Sequence, residues 1–261
     1  MNSPPPPLTP AQRERYSRQI VLPEVGLAGQ ERLQRAAVLL VGAGGLGSPV
    51  GLYLAAAGVG RLGVVDGDRL ERSNLGRQVG HRTEAVGESK AESLRRGMLA
   101  LNPEVRVEAV DGWLDEENGP ALIQSCDGVV DGCDNFDTRY LVNALCHRLG
   151  RPLVSGAVSG WEGQVTVIRS GVEPGAPCYR CLFPHRPGAG QAPSCAVAGV
   201  SGPMAGVVGA WQANEMIKLL AGIGSGLGGA LLLINGLDGE CARLAVRRDP
   251  ACPVCGPSPP L

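Results

Sequence analysis

Two cysteine pairs of identical spacing carry the clearest chemistry: Cys178 and Cys181 in CYRC, then Cys252 and Cys255 in CPVC about seventy residues on. Four thiolates in two such knuckles make a closed tetrahedral zinc site with no open position for substrate. A thioredoxin-like redox pair or an iron–sulfur cluster are the alternatives. A redox C-x-x-C should open a helix in a βαβ context, however, and neither pair does. Zinc is expected here as a staple that fastens the C-terminus to the body of the protein. A second stretch, VLLVGAGGLG from Val38 to Gly47, puts Gly42, Gly44, Gly45 and Gly47 after an apolar run. Gly42, Gly44 and Gly47 fit G-x-G-x-x-G, which supplies a tight turn, close backbone approach to phosphates and N–H groups at a helix N-terminus. Asp66 ends the next strand about twenty residues later, where a carboxylate can take ribose hydroxyls. The loop alone leaves NAD, FAD, SAM and ATP open, and an NAD-dependent oxidoreductase is its simplest reading.

The residues that follow favour a triphosphate. DRLERSNLGRQ places Asn74, Arg77 and Gln78 just past Asp66, and Lys90 follows in GESKAES. A dinucleotide has no evident need for these cations, whereas phosphoryl oxygens that gain charge in a transition state do. Taken singly, Arg77 or Lys90 reads first as solvated surface charge. DGCDNFDTR then ends a strand at Asp131 and sets Asp134 and Asn135 in the turn beyond, where their oxygens suit Mg²⁺ or a ligand. Asp137 reads as a helix cap. Cys126, Cys133, Cys146 and Cys241 read as core thiols, and Cys195, in the Gly/Ala/Pro-rich GAGQAPSCAVAGV, as an exposed one.

Strand-like runs alternate with helical spacing from Ala36 to Ser155, which predicts an α/β, Rossmann-like, mostly parallel sheet with helices on both faces. GQVTVI and ALLLING read as added antiparallel strands around a long irregular stretch. Residues 1–12 read as a Pro-rich, disordered arm, 13–256 as one domain (36–155 holding the nucleotide, 156–256 the zinc), and 257–261 as a tail. Lys plus Arg (24) nearly balances Asp plus Glu (25), which argues against nucleic-acid or membrane-surface binding. The Pro203–Ala221 stretch carries Gln212, Asn214, Glu215 and Lys218, so it reads as a buried helix and not a membrane span. Nine cysteines without a signal peptide fit a reducing cytoplasm.

RYSRQI, VGAGGLGSP, VDGDRLERSNLGRQ, GESKAES, DGCDN and the two C-x-x-C pairs occur in this order between Arg13 and Gly256. Together they resemble the bacterial E1-like adenylyltransferases of the ThiF/MoeB/HesA family, which activate ubiquitin-like sulfur-carrier proteins. The resemblance implies ATP on the loop around Gly45, with Asp66 on the ribose. Ser73 to Arg77 and Lys90 would hold the triphosphate, and Asp134 and Asn135 the Mg²⁺ and nucleotide. Arg18 is similar to an arginine that reaches the neighbouring subunit's site, which implies a homodimer. Cys195 matches a family cysteine that in some members takes part in thiol chemistry. The chain departs from the family in reading GCDN for CTDN and LGRQ for LQRQ, which spares Asp134 and Arg77. The implied activity is adenylation of a Gly-Gly-ended carrier for thiamine, molybdopterin or tRNA thiolation. Only six residues follow Cys255, so a separate sulfurtransferase or cysteine desulfurase is expected to supply sulfur. A peptide or tRNA base as the adenylated substrate is the alternative.

Overall fold

The computed structural model describes residues 7–186 and 199–256. The apolar run AVLLV becomes β1 (Ala37–Val41), buried at every position because helices cover both of its faces. It is joined by β2 (Arg61–Asp66), β3 (Arg106–Asp111), β4 (Gly128–Asp131), β5 (Leu153–Ser159), β6 (Glu162–Ile168), β7 (Ala230–Asn235) and β8 (Glu240–Ala245). They form one sheet in the order β3-β2-β1-β4-β5-β6-β7-β8. The first five strands are parallel. Strands β6 to β8 extend them antiparallel, with β6 and β7 as read from the sequence.

The helices are α1 (Pro10–Arg15), α2 (Ser17–Ile20), α3 (Gly26–Arg35), α4 (Gly47–Ala56), α5 (Lys90–Leu101), α6 (Gly119–Gln124), α7 (Phe136–Arg148), α8 (Tyr179–Leu182) and α9 (Gly202–Ala221). Successive side chains on β1 point to opposite faces. Leu40 therefore packs with Leu54, Leu94, Met98 and Met216 of α4, α5 and α9. Leu39 packs with Ile123, Leu145 and Tyr179 of α6, α7 and α8 on the other face. Helix α9 is the buried helix expected near the C-terminus. Its Gln212 donates to the Asp131 carbonyl at 2.7 Å. Its buried Glu215 is paired with Lys218 at 2.6 Å and accepts from the Leu227 amide at 2.9 Å. Among the described residues no helix is long and apolar enough to cross a membrane.

Toward both ends of the chain the structure differs from the sequence reading. Helix α1 begins inside the arm drawn to residue 12, because Thr9 and Gln12 form a reciprocal capping box and Leu8 is buried. Strand β8 was not anticipated; it is an edge strand exposed at all six positions, so it carries no burial pattern. Cys241 lies on it and is exposed, not a core thiol, whereas Cys126, Cys133 and Cys146 are buried.

Candidate active site

From β1 the chain moves to β2 and β3 on one side, while β4 and β5 lie on the other, so a crevice opens at the carboxyl ends of β1 and β4. Two glycines make it possible. Gly42 turns the chain at φ +98°, a left-handed conformation that other residues rarely adopt. A Cβ on Gly47 would sit 1.9 Å from the Gly42 carbonyl oxygen, so the first turn of α4 closes onto the strand end only without a side chain. A cavity of about 1180 Å³ runs from this crevice along the ends of the antiparallel strands.

Of the residues picked from the sequence, Gly42, Gly44, Gly45, Asp66, Arg77, Lys90, Asp134 and Asn135 line that cavity together. Gly47, Ser73 and Asn74 do not. Gly47 packs helix against strand. Ser73 bonds Glu71 at 3.1 Å, and its carbonyl accepts from Arg77 at 3.3 Å. Asn74 is buried, with its Oδ1 accepting from the Glu71 amide at 3.0 Å. Asn135 spends its Oδ1 on capping α7, accepting from the Thr138 amide at 2.8 Å. Asn135, not Asp137, is the cap; Asp137 stands in the first turn. Both asparagines serve local backbone because a short amide competes well for nearby N–H groups. Arg18 is exposed on α2, outside its own chain's cavity. Cys195 lies outside the described residues.

The phosphate-side loop is held at both polar atoms of Ala43. Its amide donates to Asp66 Oδ2 at 2.7 Å, and its carbonyl lies 2.8 Å from His81 Nε2. A carbonyl only accepts, so Nε2 carries the proton, and Nδ1 accepts from Ser93 Oγ at 2.9 Å. Burial lowers the His81 pKa and favours this neutral ring. Asp66 also accepts from the Asp68 amide at 2.8 Å; burial raises its pKa, with the two backbone donors and Lys90 opposing. Each Asp66 oxygen keeps a second lone pair for a hydroxyl. Nearby, Lys90 is buried with its Nζ 2.7 Å from Asp68 Oδ2, a partner the sequence reading missed. Gln78 Oε1 is buried beside the glycine loop with no hydrogen-bond partner among the described residues.

Across the crevice, buried Asp131 fixes the turn that presents Asp134. Its Oδ1 accepts from the Cys133 amide at 3.0 Å and the Cys133 thiol at 2.8 Å, and its Oδ2 from Ser155 Oγ at 2.9 Å. Burial and the neighbouring Asp131 charge push the Cys133 thiol well up, so it stays a donor. Arg139, buried beneath, donates to the carbonyls of Cys133 and Gly156 at 2.7 and 3.0 Å. Asp134 is thereby left exposed on the cleft.

Cys178, Cys181, Cys252 and Cys255 bring four sulfurs within 4.8 Å of one another. The pairs Cys178–Cys252, Cys181–Cys255 and Cys178–Cys181 lie at 3.5, 3.4 and 3.9 Å. A tetrahedron of bonds of about 2.3 Å has edges of about 3.8 Å, so the cluster is a metal site in size and donor type. The Asp249 amide points at Cys181 Sγ from 3.4 Å, a second-sphere donor to a thiolate.

A switch-point crevice floored by glycines and flanked by cations places the protein among doubly wound α/β enzymes that work on nucleotides. The ThiF family model matches residues 16–254, and the chain belongs to the ThiF family. It is 53% identical to the sulfur carrier protein adenylyltransferase of Thermus thermophilus, over 96% of this chain and 93% of that protein. It is 49% identical to the SAMP-activating enzyme E1 of Haloferax volcanii, over 95% and 91%. The adenylyltransferase and sulfurtransferase MOCS3 of Mus musculus is 49% identical over 98% of this chain, which spans only 56% of that longer protein. Among solved structures, Escherichia coli MccB with ATP superposes with a TM-score of 0.78 at 25% identity, covering 93% of this chain and 73% of that one. The chain is an adenylyltransferase, and ATP use follows from that class.

Proposed function

We propose that the chain adenylates the C-terminal glycine carboxylate of a small ubiquitin-like sulfur-carrier protein ending in Gly-Gly. A carboxylate oxygen attacks the α-phosphorus of ATP in line. The bond from that phosphorus to the bridging oxygen breaks, pyrophosphate leaves with the electron pair, and an acyl-adenylate remains. The nucleophile is already an anion and needs no general base, so placement and charge neutralisation do the work. The observation that carries this reading is a single cavity that joins the glycine loop, Asp66, Arg77, Lys90 and Asp134 to a trough along the antiparallel strands.

In this reading Gly42, Gly44 and Gly45 admit the phosphates and Asp66 takes the ribose. Arg77 and Lys90 meet the phosphate oxygens, Lys90 turning from its exposed partner Asp68. Asp134, which has no partner among the described residues, would hold Mg²⁺, whose charge offsets that of the phosphates. Arg18 of a second copy would complete the site, which makes the working unit a homodimer. The four-cysteine cluster fits zinc by donor set and size, as a structural ion. The reaction would run in a reducing cytoplasm and hand its adenylate to a separate sulfurtransferase or cysteine desulfurase.

The test is ATP–[³²P]pyrophosphate exchange with each small Gly-Gly-ended carrier of the same genome in turn. Exchange with one carrier names a thiamine, molybdopterin or tRNA-thiolation pathway, and exchange with several makes this a shared activator. Absence of exchange with every carrier overturns the reading.

A further inference from the structure

The nucleotide reading uses the ends of β1, β2 and β4 and leaves the end of β3 without a role. Yet Gly112, Trp113 and Leu114, just past β3, also line the cavity. Leu114 turns into the core, whereas Trp113 is 60% exposed. Among the described Phe, Tyr and Trp residues lining the cavity it is the one that is largely solvent-exposed; Phe136 and Phe183 are half-buried and Tyr179 is buried. A large indole left in water at the mouth of a cleft forgoes the burial that would ordinarily recover its apolar surface.

Its seat is specific. Gly67, the first residue after β2, lies under the ring. A Cβ built there would be 2.6 Å from Cε2 and 2.8 Å from both Cδ2 and Nε1. Near-equal distances to three atoms of the bicyclic system mean that the indole meets the glycine with its face and not its edge. Only glycine permits that approach. The backbone beneath is pinned as well. The Trp113 carbonyl accepts from Asn118 Nδ2 at 2.8 Å, and Asn118 is tied to Asp115 through reciprocal bonds of 2.8 and 3.1 Å. Strand register sets Asp66 opposite Asp111, so the ring stands one strand over from the Asp66 carboxylate and just beyond it.

A ribose held at Asp66 would leave its base free to point away from the phosphate loop, toward the neighbouring strand end. Resting on the nucleotide reading of the cleft, we propose that Trp113 is the platform on which the purine of the bound nucleotide stacks. Gly67 is the residue that lets the ring lie flat. Stacking uses the π-face that every base has, so the platform contributes affinity and orientation more than selection among bases.

The experiment is calorimetric titration of the full chain with a non-hydrolysable ATP analogue and with inorganic tripolyphosphate. The wild-type protein, Trp113→Ala, Trp113→Phe and Gly67→Val are compared, with steady-state exchange measured alongside. Trp113→Ala is expected to weaken analogue binding by about tenfold or more, with tripolyphosphate binding unchanged. The exchange KM for ATP should rise at near-constant kcat, and Trp113→Phe should recover most of the loss. Gly67→Val, which unseats the ring without removing it, should resemble Trp113→Ala. Normal analogue binding by Trp113→Ala overturns the platform while leaving the nucleotide site standing. Failure of the wild-type protein to bind the analogue overturns the nucleotide reading itself. An equal loss for tripolyphosphate would show that Trp113 acts through general disruption of the cleft, and would also overturn the proposal.

Discussion

The parallel and antiparallel parts of the sheet reach their precision by different means. In the parallel part each loop of the crevice is held by a buried side chain: Ala43 by Asp66 and His81, and the Cys133 amide by Asp131. In the antiparallel part the outer strand β8 is exposed throughout, and the chain between Cys178 and Cys252, 74 residues apart, is drawn together by four sulfurs. The first arrangement is complete once the core has packed. The second would be completed by an ion held at that cluster. In the proposed reaction, placement within a fraction of an ångström falls to the self-sufficient part and the carrier's approach to the conditional one.

The sharpest way to break that contrast is to remove charge from the crevice. Lys90→Ala and Asp134→Ala are each expected to lower pyrophosphate exchange by about 10²- to 10⁴-fold, on the scale of one lost transition-state contact. Their melting temperatures should stay near wild type, because water can replace Lys90 at the half-exposed Asp68 carboxylate and Asp134 has no partner among the described residues to lose. Near-normal exchange in both variants would remove these residues from the site. Cys178→Ala addresses the other part: metal content should fall from stoichiometric to background and stability by several kcal/mol. Elemental analysis beside a thermal melt checks both, and an unchanged metal content would refute the cluster.

A milder test uses pH. Burial holds the His81 pKa below its unfolded value of about 6.5, so below that pH the unfolded chain binds more protons than the folded one. The stability from neutral His81 is complete above about pH 6.5 and is lost as pH falls toward the folded pKa. The wild-type melting temperature should decline over this acidic window, and His81→Asn, less stable at neutral pH, should show a shallower decline. Equal slopes would mean that other groups set the acid limit. The smallest effect is expected for Gly76→Gln. Nothing lies within 4 Å of a Cβ at this position, so the change should stay within about 0.5 kcal/mol in a denaturant titration.

Seven of the eight strands are visible in the sequence because each carries apolar, β-prone residues, continuous in buried β1 and β4 and alternating with charge in half-exposed β3. Strand β8 is not. ECARLA mixes charge with small residues, and it pairs because β7 offers an open edge, a cause outside its own composition. Glycines, cations and cysteines of the candidate site stood out because their chemistry is tied to residue type and short spacing. The supports were not. His81 meets a loop residue 38 positions away, and Lys90 finds Asp68 across 22. The DGD at Asp66–Asp68, with a lysine placed to reach it, was the one available hint. Asn135 and Asp137 are equally good acceptors on paper; the extended backbone at Asn135, φ −122° and ψ 145°, makes it the cap.

The position of Cys181 has a thermodynamic corollary. Phe183 and His185, two and four residues beyond it, form part of the cleft wall. An ion at the cluster and a guest in the cleft would bear on the same short segment, and any coupling between them would change each one's affinity by the same factor. The chelator concentration needed to strip the ion should rise as the cleft fills. Chelator resistance then becomes a gauge of occupancy that requires no turnover at all.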